Sequence, residues 1–156
     1  MQKITPFLWF DDNAEEAVNL YTSVFKDSEI MDISRYGEGS PGPAGSVMSI
    51  TFKLLDQEFM ALNGGPVFTF SPATSFFVNC ETQDEVDEFW ERLSEGGKKQ
   101  NCGWLTDKFG VTWQIVPTAL GQLLGDPDPE KSKRVMEAML KMNKLDIDTL
   151  RQAHGG

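Results

Sequence analysis

Histidine and cysteine are scarce in this 156-residue chain. The sequence contains one histidine, His154, and two cysteines, Cys80 and Cys102. Two cysteines are too few for the disulfide framework of a small secreted domain, and neither lies in a short pair with another cysteine or a histidine. We therefore expect two reduced, mostly buried thiols, and a His154 that is solvent-exposed near the carboxyl end and takes no part in catalysis.

Basic residues are also few. The chain has 14 lysines and arginines against 24 aspartates and glutamates, which gives a formal net charge of -10. This balance repels phosphate backbones and anionic lipid surfaces, so we expect neither nucleic acid nor membrane as a partner. No segment approaches the ~20 apolar residues of a membrane span. The sequence opens on a strand pattern rather than a cleavable apolar segment, and a cytoplasmic protein is predicted.

What the sequence does contain is an internal repeat. Residues 5–21 and 74–90 share one pattern at an offset of 69: an apolar strand, a turn of acidic or amide residues, and a helix with carboxylates in its first turn. Residues 55–63 align with 109–117 at an offset of 54. A duplicated unit of this kind usually builds its working surface at equivalent positions of the two copies. Functional residues are therefore expected in pairs.

The hydrophobic periodicity predicts alternating strands and helices. Strands are expected at 4–10, 29–36, 46–54, 58–62, 74–79, 99–104 and 112–116, and helices at 13–24, 83–94, 118–124, from 128 and from 146. Asn13 is the predicted N-cap of the first helix, and Thr82 with Glu85 forms a capping box for the second. Glycines and prolines between residues 37 and 45 predict a mobile loop or a lid.

The turn before the last predicted strand carries a resemblance to a known superfamily. Asp107, Gly110, Trp113 and Ile115 form the pattern D-x-x-G-x-x-W-x-I, which is similar to that of the vicinal oxygen chelate superfamily of glyoxalases, ring-cleaving dioxygenases and antibiotic resistance proteins. Within it the chain resembles the PhnB-like group, labelled 3-demethylubiquinone-9 3-methyltransferase-like. The segments that carry this second resemblance are ITPFLWFDDNAEEAVNLYTSVF, ALNGG, CGWLTDKFGVTWQIVP and DPDPEKSKRVMEAML.

This resemblance implies an α+β fold of two duplicated βαβββ units. Their curved mixed β-sheets would surround a cleft, and C-terminal helices would follow. The units are expected at 1–65 and 72–117, with a helical extension at 118–156, all within one vicinal oxygen chelate domain that spans 1–156.

The resemblance also implies where a metal would be held. In metal-dependent members each unit offers one ligand from its first strand and one from its last, and these positions fall on Pro6, Met60, Ser75 and Gln114. Proline has no side-chain donor, a thioether prefers soft metals, and a serine hydroxyl is a weak ligand. We therefore expect no metal, no other cofactor and no catalytic residue.

Strand parity with these four positions predicts the lining of the cleft. The predicted ligand-binding residues are Leu8, Phe10, Met60, Leu62, Ser75, Phe77, Cys102, Trp104 and Gln114. Such a lining suits a flat apolar or aromatic molecule, and it suits an ordinary core equally well. Gln114 either hydrogen bonds to a neutral ligand or pairs with Ser75 across the cleft. Backbone amides of residues 63–65 were a weaker candidate, for an anion.

Two functions are compatible with this pattern. The first is a metal-independent small-molecule-binding protein, a homodimer whose interface includes Met136, Met139 and Leu140 on one helical stripe. The alternative is an enzyme of the same fold, either a metal-dependent lyase or dioxygenase or the methyltransferase that the family label suggests. No glycine-rich loop follows a predicted strand and opens a helix, as binding of an adenosine-containing methyl donor would require.

Overall fold

A computed structural model describes residues 2–155 of the chain as two compact units, the first ending at Phe70 and the second beginning at Ser71. The first unit contains β1 (Phe7–Phe10), α1 (Ala14–Val24), β2 (Glu29–Arg35), β3 (Val47–Leu54) and β4 (Gln57–Asn63). Its sheet has the order β1-β4-β3-β2, in which β1 runs parallel to β4 and the other neighbours are antiparallel. Helix α1 buries Ala17, Val18 and Tyr21 and packs mainly against β3.

The second unit repeats this topology and then adds helices. It contains β5 (Ser75–Cys80), α2 (Gln83–Ser94), β6 (Lys98–Lys99), β7 (Trp104–Thr106), β8 (Thr112–Pro117), α3 (Thr118–Leu124), α4 (Pro129–Leu140) and α5 (Ile147–His154). The sheet order is β5-β8-β7-β6, again with a parallel first pair. The prediction of an α+β fold with duplicated βαβββ units and C-terminal helices is confirmed.

The register shows that the first part of the repeat has an offset of 70 for its strands and 69 for its helices, where the sequence suggested 69 for both. Phe7 on β1 pairs with Met60 on β4, and Phe77 on β5 pairs with Gln114 on β8. Because Met60 and Gln114 are equivalent at an offset of 54, Phe7 must correspond to Phe77, at an offset of 70. The helices still match at an offset of 69. The difference lies in the strand-to-helix turn, which has three residues in the first unit (11–13) and two in the second (81–82).

This extra residue makes one prediction about the first unit wrong. Leu8 pairs with Ala61, whereas Met60 and Leu62 pair with Phe7 and Trp9. Since side chains alternate between the two faces of a strand, Leu8 and Phe10 lie on the face opposite to Met60 and Leu62. Both are buried, at 8% and 2% exposure, on the side that α1 covers. Leu8 and Phe10 are therefore core residues on the face opposite to the expected lining.

Helices α1 and α2 start at the predicted positions, but the side chain that caps α1 is not the predicted one. Thr82 accepts a hydrogen bond from the backbone of Glu85 over 3.2 Å, and Glu85 accepts one from the backbone of Glu81. Asn13 stands at the N-cap of α1, but its side chain makes no capping hydrogen bond. That bond comes instead from Asn63, whose Oδ1 accepts from Ala14 N over 2.8 Å. The cap is supplied by the end of β4, 49 residues away.

The three C-terminal helices form a small core of their own. Buried residues from α4, α5 and the segment before α5 meet the end of β8 and α3; they are Val116, Leu120, Val135, Leu145 and Leu150. His154 belongs to this assembly, because it is only 9% exposed and its Nε2 lies 2.8 Å from Asp126 Oδ2. The prediction of an exposed His154 is therefore wrong. Arg134 donates to the backbone oxygens of Ala153 and His154 and fixes the end of α5 to α4.

The glycine- and proline-rich loop of the first unit is closed by hydrogen bonds at its base. Tyr36 N donates to Ser46 O, and the Tyr36 hydroxyl donates to Asn63 O over 2.5 Å. The mobility of the loop stays a prediction. The weaker candidate for an anion site, the backbone amides of residues 63–65, is not supported, because Gly64 N donates to Phe10 O and Gly65 N to Asp11 O. A cavity of about 310 Å³ beside this loop is bordered by Asp11 and by Asp12, which also disfavour an anion.

Candidate functional site: an uncharged cavity in the second unit

One face of the second sheet carries three side chains in register. Trp104 on β7 pairs with Gln114 on β8, which pairs in turn with Phe77 on β5. Paired residues of neighbouring strands share a face, so these three side chains form a row across the sheet. The opposite face holds the buried Trp113 and Ile115 and is covered by α2. The row of Phe77, Gln114 and Trp104 is therefore not needed for packing against that helix.

The C-terminal helices form a second wall facing this row. Helix α3 begins directly after β8 and places Leu120, Gly121 and Leu124 beside the sheet, and α4 adds Met139. Between them lies a cavity of about 630 Å³. Its lining consists of Phe77, Asn79, Cys102, Trp104, Gln114, Val116, Pro117, Thr118, Leu120, Gly121, Gln122, Leu124 and Met139. The volume falls within the range of small-molecule sites.

No residue of this lining carries a formal charge. That is unusual in a chain in which 24% of the residues are charged and whose net charge is -10. A charged ligand would lose part of its hydration in the cavity without gaining an ion pair. The lining therefore offers no ion-pair partner to a ligand.

Gln114 supplies the polar group nearest the centre of the row. Its Nε2 donates a hydrogen bond of 3.0 Å to Ser75 Oγ, and the two side chains lie on the same face of the sheet. A glutamine amide has two donor hydrogens and an acceptor oxygen. The Ser75 contact uses one of these, and no other described residue is hydrogen bonded to the Gln114 side chain. The amide thus keeps both a donor and an acceptor for a further partner.

The loop before β7 brings Cys102 to the cavity wall. Cys102 N donates to Met142 O and Gly103 N to Asn143 O, both over 2.8 Å, so the loop is tied to the segment after α4. The Cys102 thiol lies 3.6 Å from Met139 O. The other cysteine, Cys80, is fully buried, and burial raises the pKa of its thiol to about 12. Of the two thiols, Cys102 is the one that borders the cavity.

The structure thus brings part of the predicted site together. Phe77, Cys102, Trp104 and Gln114 line the cavity, and Ser75 is the partner of Gln114. Met60 and Leu62 lie on the corresponding face of the sheet in the first unit. The whole set stays a prediction as a binding site, apart from Leu8 and Phe10.

Sequence reasoning missed the helical half of this wall. Asn79 shares its face with Phe77 and could have been found by strand parity. Gly121, Leu124 and Met139 carried no local signal, because the sequence predicts that a helix forms but not what its sides contact. Met139 is expected at a dimer interface, on one helical stripe with Met136 and Leu140. Instead it is half-buried in the cavity wall, whereas the other two are 41% and 56% exposed.

The residues at the expected metal positions do not fit a divalent ion. The strand offset of 70 moves the first position from Pro6 to Thr5, which corresponds to Ser75. The set then reads Thr5 and Met60 in one unit, Ser75 and Gln114 in the other. None of these is an anionic oxygen or an imidazole. Nowhere within residues 2–155 do three or more histidine, cysteine, aspartate or glutamate side chains gather closely enough to hold a metal ion.

The D-x-x-G-x-x-W motif has a structural role next to this site. Asp107 is buried, and its Oδ1 accepts hydrogen bonds from the backbone of Phe109 and Val111. Its Oδ2 accepts from Trp113 Nε1 over 2.9 Å. Gly110 has a φ of 94°, which a residue with a side chain rarely adopts. The motif fixes the turn that sets β7 against β8, and so the register that aligns Trp104 with Gln114.

The duplicated βαβββ units define a glyoxalase/bleomycin-resistance type of fold, that of the vicinal oxygen chelate superfamily. Within it, the chain belongs to the family described as 3-demethylubiquinone-9 3-methyltransferase, which matches residues 2–116. Helices α3, α4 and α5 lie beyond the matched residues.

Solved structures agree with this assignment. A putative 3-demethylubiquinone-9 3-methyltransferase, PhnB protein, from Bacillus cereus is 45% identical, with a TM-score of 0.70, over 75% of this chain and 100% of that one. Protein PA1353 from Pseudomonas aeruginosa is 24% identical, with a TM-score of 0.63, over 75% of this chain and 98% of its own. The fosfomycin resistance protein FosX from Mesorhizobium loti shares the fold alone, at 14% identity and a TM-score of 0.50, over 72% and 90% of the two chains. Among curated proteins, none matches the chain.

None of the helices within residues 2–155 has the length and apolar character of a membrane span.

Proposed function

We propose that the protein binds an uncharged, flat, apolar or aromatic small molecule in the cavity of the second unit, without a metal ion. The observation that carries this proposal is the lining itself, which combines Phe77 and Trp104 with the amide of Gln114 and has no charged residue. The two aromatic side chains offer ring faces and edges to a planar molecule. The amide offers one oriented hydrogen bond.

The energetics favour burial of a ring in this space. Each 100 Å² of apolar ligand surface removed from water contributes roughly 2.5 kcal/mol. Part of that gain is offset by the lost freedom of the ligand. A hydrogen bond to the spare group of Gln114 would add about 1 kcal/mol net, and it would penalise an analogue that lacks the matching polar atom. Affinity would thus come from the rings, and selectivity from the amide.

The activity in the family's name requires a different site. A methyl donor that contains adenosine and a sulfonium would carry positive charge into a lining that has no carboxylate. The strand-to-helix turns at 11–13 and 81–82 contain no glycine, whereas a nucleotide-binding loop at such a turn depends on glycine. Calorimetric titration with S-adenosylmethionine tests this directly. Micromolar binding would overturn the proposal in favour of a transferase.

The binding proposal is tested with N-phenyl-1-naphthylamine, an uncharged aromatic probe that fluoresces when it leaves water. The matched variants are Phe77→Ser in the second unit and Phe7→Ser in the first, because these residues occupy equivalent positions with 54% and 53% exposure. We expect saturable binding to the wild type, at least a tenfold loss in Phe77→Ser, and less than a threefold change in Phe7→Ser. Equal losses in both variants would show that the site is not confined to the second unit.

Metal independence is tested on the same preparation. After dialysis against EDTA, affinity for the probe should stay unchanged, and elemental analysis of the undialysed protein should find no stoichiometric divalent ion. A stoichiometric ion whose removal abolishes binding would contradict this part of the proposal.

We further propose that the protein forms a homodimer in which α4 contributes to the interface. Met136 and Leu140 support this, since they lie four residues apart on one side of α4 and are both exposed. Light scattering after size exclusion should give twice the 17.5 kDa chain mass. The double variant Met136→Lys with Leu140→Glu should shift the mass toward that of one chain.

A cytoplasmic location is proposed on the state of the two thiols. Cys80 and Cys102 are both free, and free thiols persist in reducing compartments. Localisation of a tagged full-length chain tests this.

A further inference from the structure

Gly121 lies in the middle of α3, where a glycine is costly and nothing in the chain itself requires it. Its φ is not in the left-handed region, and a Cβ built on it would meet no atom within 4 Å. Glycine inside a helix is less stable than alanine because it loses more backbone freedom on folding. The packing of the protein therefore gives no reason for glycine at this position.

At two other positions of the second unit, glycine is required by packing. A Cβ on Gly97 would lie 2.1 Å from Thr106 O, and one on Gly103 would lie 2.7 Å from Ile115 O. Both contacts involve backbone atoms that cannot move away without breaking the sheet. At these two sites the chain excludes a side chain by its own structure, which distinguishes them from Gly121.

Gly121 is an exposed residue that borders the cavity. Gly121 is part of the lining, as are its helix neighbours Leu120 and Leu124, and the facing wall carries Trp104 and Gln114. A side chain at position 121 would add bulk to this wall of the cavity without meeting another residue. Glycine is used where a ligand approaches the backbone closely, because it has no side chain in the way.

We infer that Gly121 is a ligand contact that determines specificity. The missing side chain admits the edge of a planar, uncharged ring system, which packs against the backbone of α3 while its polar atom meets the Gln114 amide. This inference rests on the proposed function and deepens it, since it specifies a ring broad enough to reach from β8 to α3. It also assigns the choice of ligand to a helix beyond the family-matched residues 2–116.

The test is a size series at this position, Gly121→Ala, Gly121→Leu and Gly121→Phe, titrated with N-phenyl-1-naphthylamine. We expect affinity to fall in the order of side-chain size, by less than threefold for alanine and more than tenfold for leucine and phenylalanine. Melting temperatures should not fall, and that of Gly121→Ala should rise, because alanine favours the helix and the new Cβ meets open space.

The matched control is Gly37→Leu in the first unit, where a Cβ would come no closer than 3.9 Å to another side chain. This variant should bind the probe as the wild type does. If Gly121→Leu binds like the wild type while Phe77→Ser has lost binding, the inference about Gly121 is wrong and the proposed function stands. If the wild type itself does not bind the probe, both fail. If the leucine variant is unfolded by circular dichroism, the alanine variant decides: a destabilised Gly121→Ala would show that the glycine serves folding.

Discussion

Gln114 and Ser75 are joined by a hydrogen bond of 3.0 Å across the parallel pair of strands that opens the second sheet. The bond orients the glutamine without exhausting it, because one N–H and the carbonyl oxygen of the amide stay available. The two readings of Gln114 that the sequence left open, a partner for Ser75 and a donor to a ligand, are therefore compatible with each other.

Removal of the Gln114 amide should change selectivity more than affinity for plain rings. We predict that Gln114→Leu lowers the affinity for 2-naphthol by about 3- to 10-fold, which corresponds to the loss of one hydrogen bond of about 1 kcal/mol. Naphthalene should bind the variant and the wild type within twofold of each other. Displacement of N-phenyl-1-naphthylamine measures both, and Ser75→Ala is the control that keeps the amide. Equal losses for the two ligands would mean that Gln114 acts only through shape.

The two cysteines should differ sharply in reactivity. With a pKa of about 12 for Cys80, only roughly one molecule in ten thousand carries that thiolate at pH 8. We predict that Ellman's reagent modifies one thiol per native chain, and the second only in guanidinium chloride. The rapid phase should vanish in Cys102→Ser, persist in Cys80→Ser and slow in the presence of N-phenyl-1-naphthylamine. A rapid phase that survives in Cys102→Ser would contradict this assignment.

The side chain of Asn63, rather than that of Asn13, should stabilise the start of α1. Asn63→Ala removes the acceptor for Ala14 N and the donor to Val47 O, and should lower the free energy of unfolding by about 2–3 kcal/mol. Asn13→Ala removes no capping side-chain bond and should change it by less than about 0.5 kcal/mol. Urea denaturation at pH 7 compares the two. A larger effect at Asn13 would reverse the assignment of the cap.

Asp107 and Trp113 should be energetically coupled. Asp107→Asn places an amide N–H against the backbone N–H of Phe109 or the indole N–H of Trp113, so that a buried donor loses its acceptor. The free energy of unfolding should fall by about 2–4 kcal/mol. Trp113→Phe removes the indole donor. The double variant should be less destabilised than the sum of the single variants, which a double-mutant cycle in urea measures. Strict additivity would show that the two side chains do not act together.

Acid should remove the contribution of Asp126 to stability. The backbone N–H of Asp128 and then the ring of His154 hold the pKa of the Asp126 carboxyl below its ordinary value of 3.8. A lowered folded-state pKa stabilises the protein above pH 3.8, and the effect is lost as the pH falls through the folded-state value. Asp126→Asn should therefore be less stable than the wild type at pH 7, with a difference that shrinks below about pH 4. Urea denaturation from pH 7 to pH 2.5 measures this.

The control for that comparison is Asp56→Asn, at an exposed position in the turn between β3 and β4. The difference in the free energy of unfolding between this variant and the wild type should stay constant across the same pH range. A pH-independent difference for Asp126→Asn would mean that the residue acts through shape rather than charge.

Local signals in the sequence were sufficient for most helices and strands. Helix α2 was predicted with the bounds that the structure has, because Thr82 and Glu85 define its start and Gly96, with a φ of 76°, follows its end. The start of α4 was also predicted, because Asp128 precedes Pro129 and its side chain accepts a hydrogen bond from Glu130 N. These signals act within a few residues of the chain, so sequence alone contains them.

The errors arose where distant segments meet. His154 looked like a free terminal residue, yet it is held by Asp126, 28 positions away. The predicted lining of the second sheet was found by strand parity, while the wall formed by α3 and Met139 depends on how helices dock, which no periodicity specifies. In the first unit, a single extra residue between β1 and α1 inverted the parity of Leu8 and Phe10, because a strand changes face at every residue.

The corrected strand equivalence also shows which residues of the first unit correspond to the Ser75–Gln114 pair of the second. By the strand offset of 70, Thr5 corresponds to Ser75, and Met60 occupies the place of Gln114. The two units differ at a second position of this row, because Thr51 pairs with Met60 where Trp104 pairs with Gln114. Met60→Gln would place a hydroxyl residue and an amide at equivalent positions of both units, but the first unit would still have Thr51 in place of the aromatic Trp104.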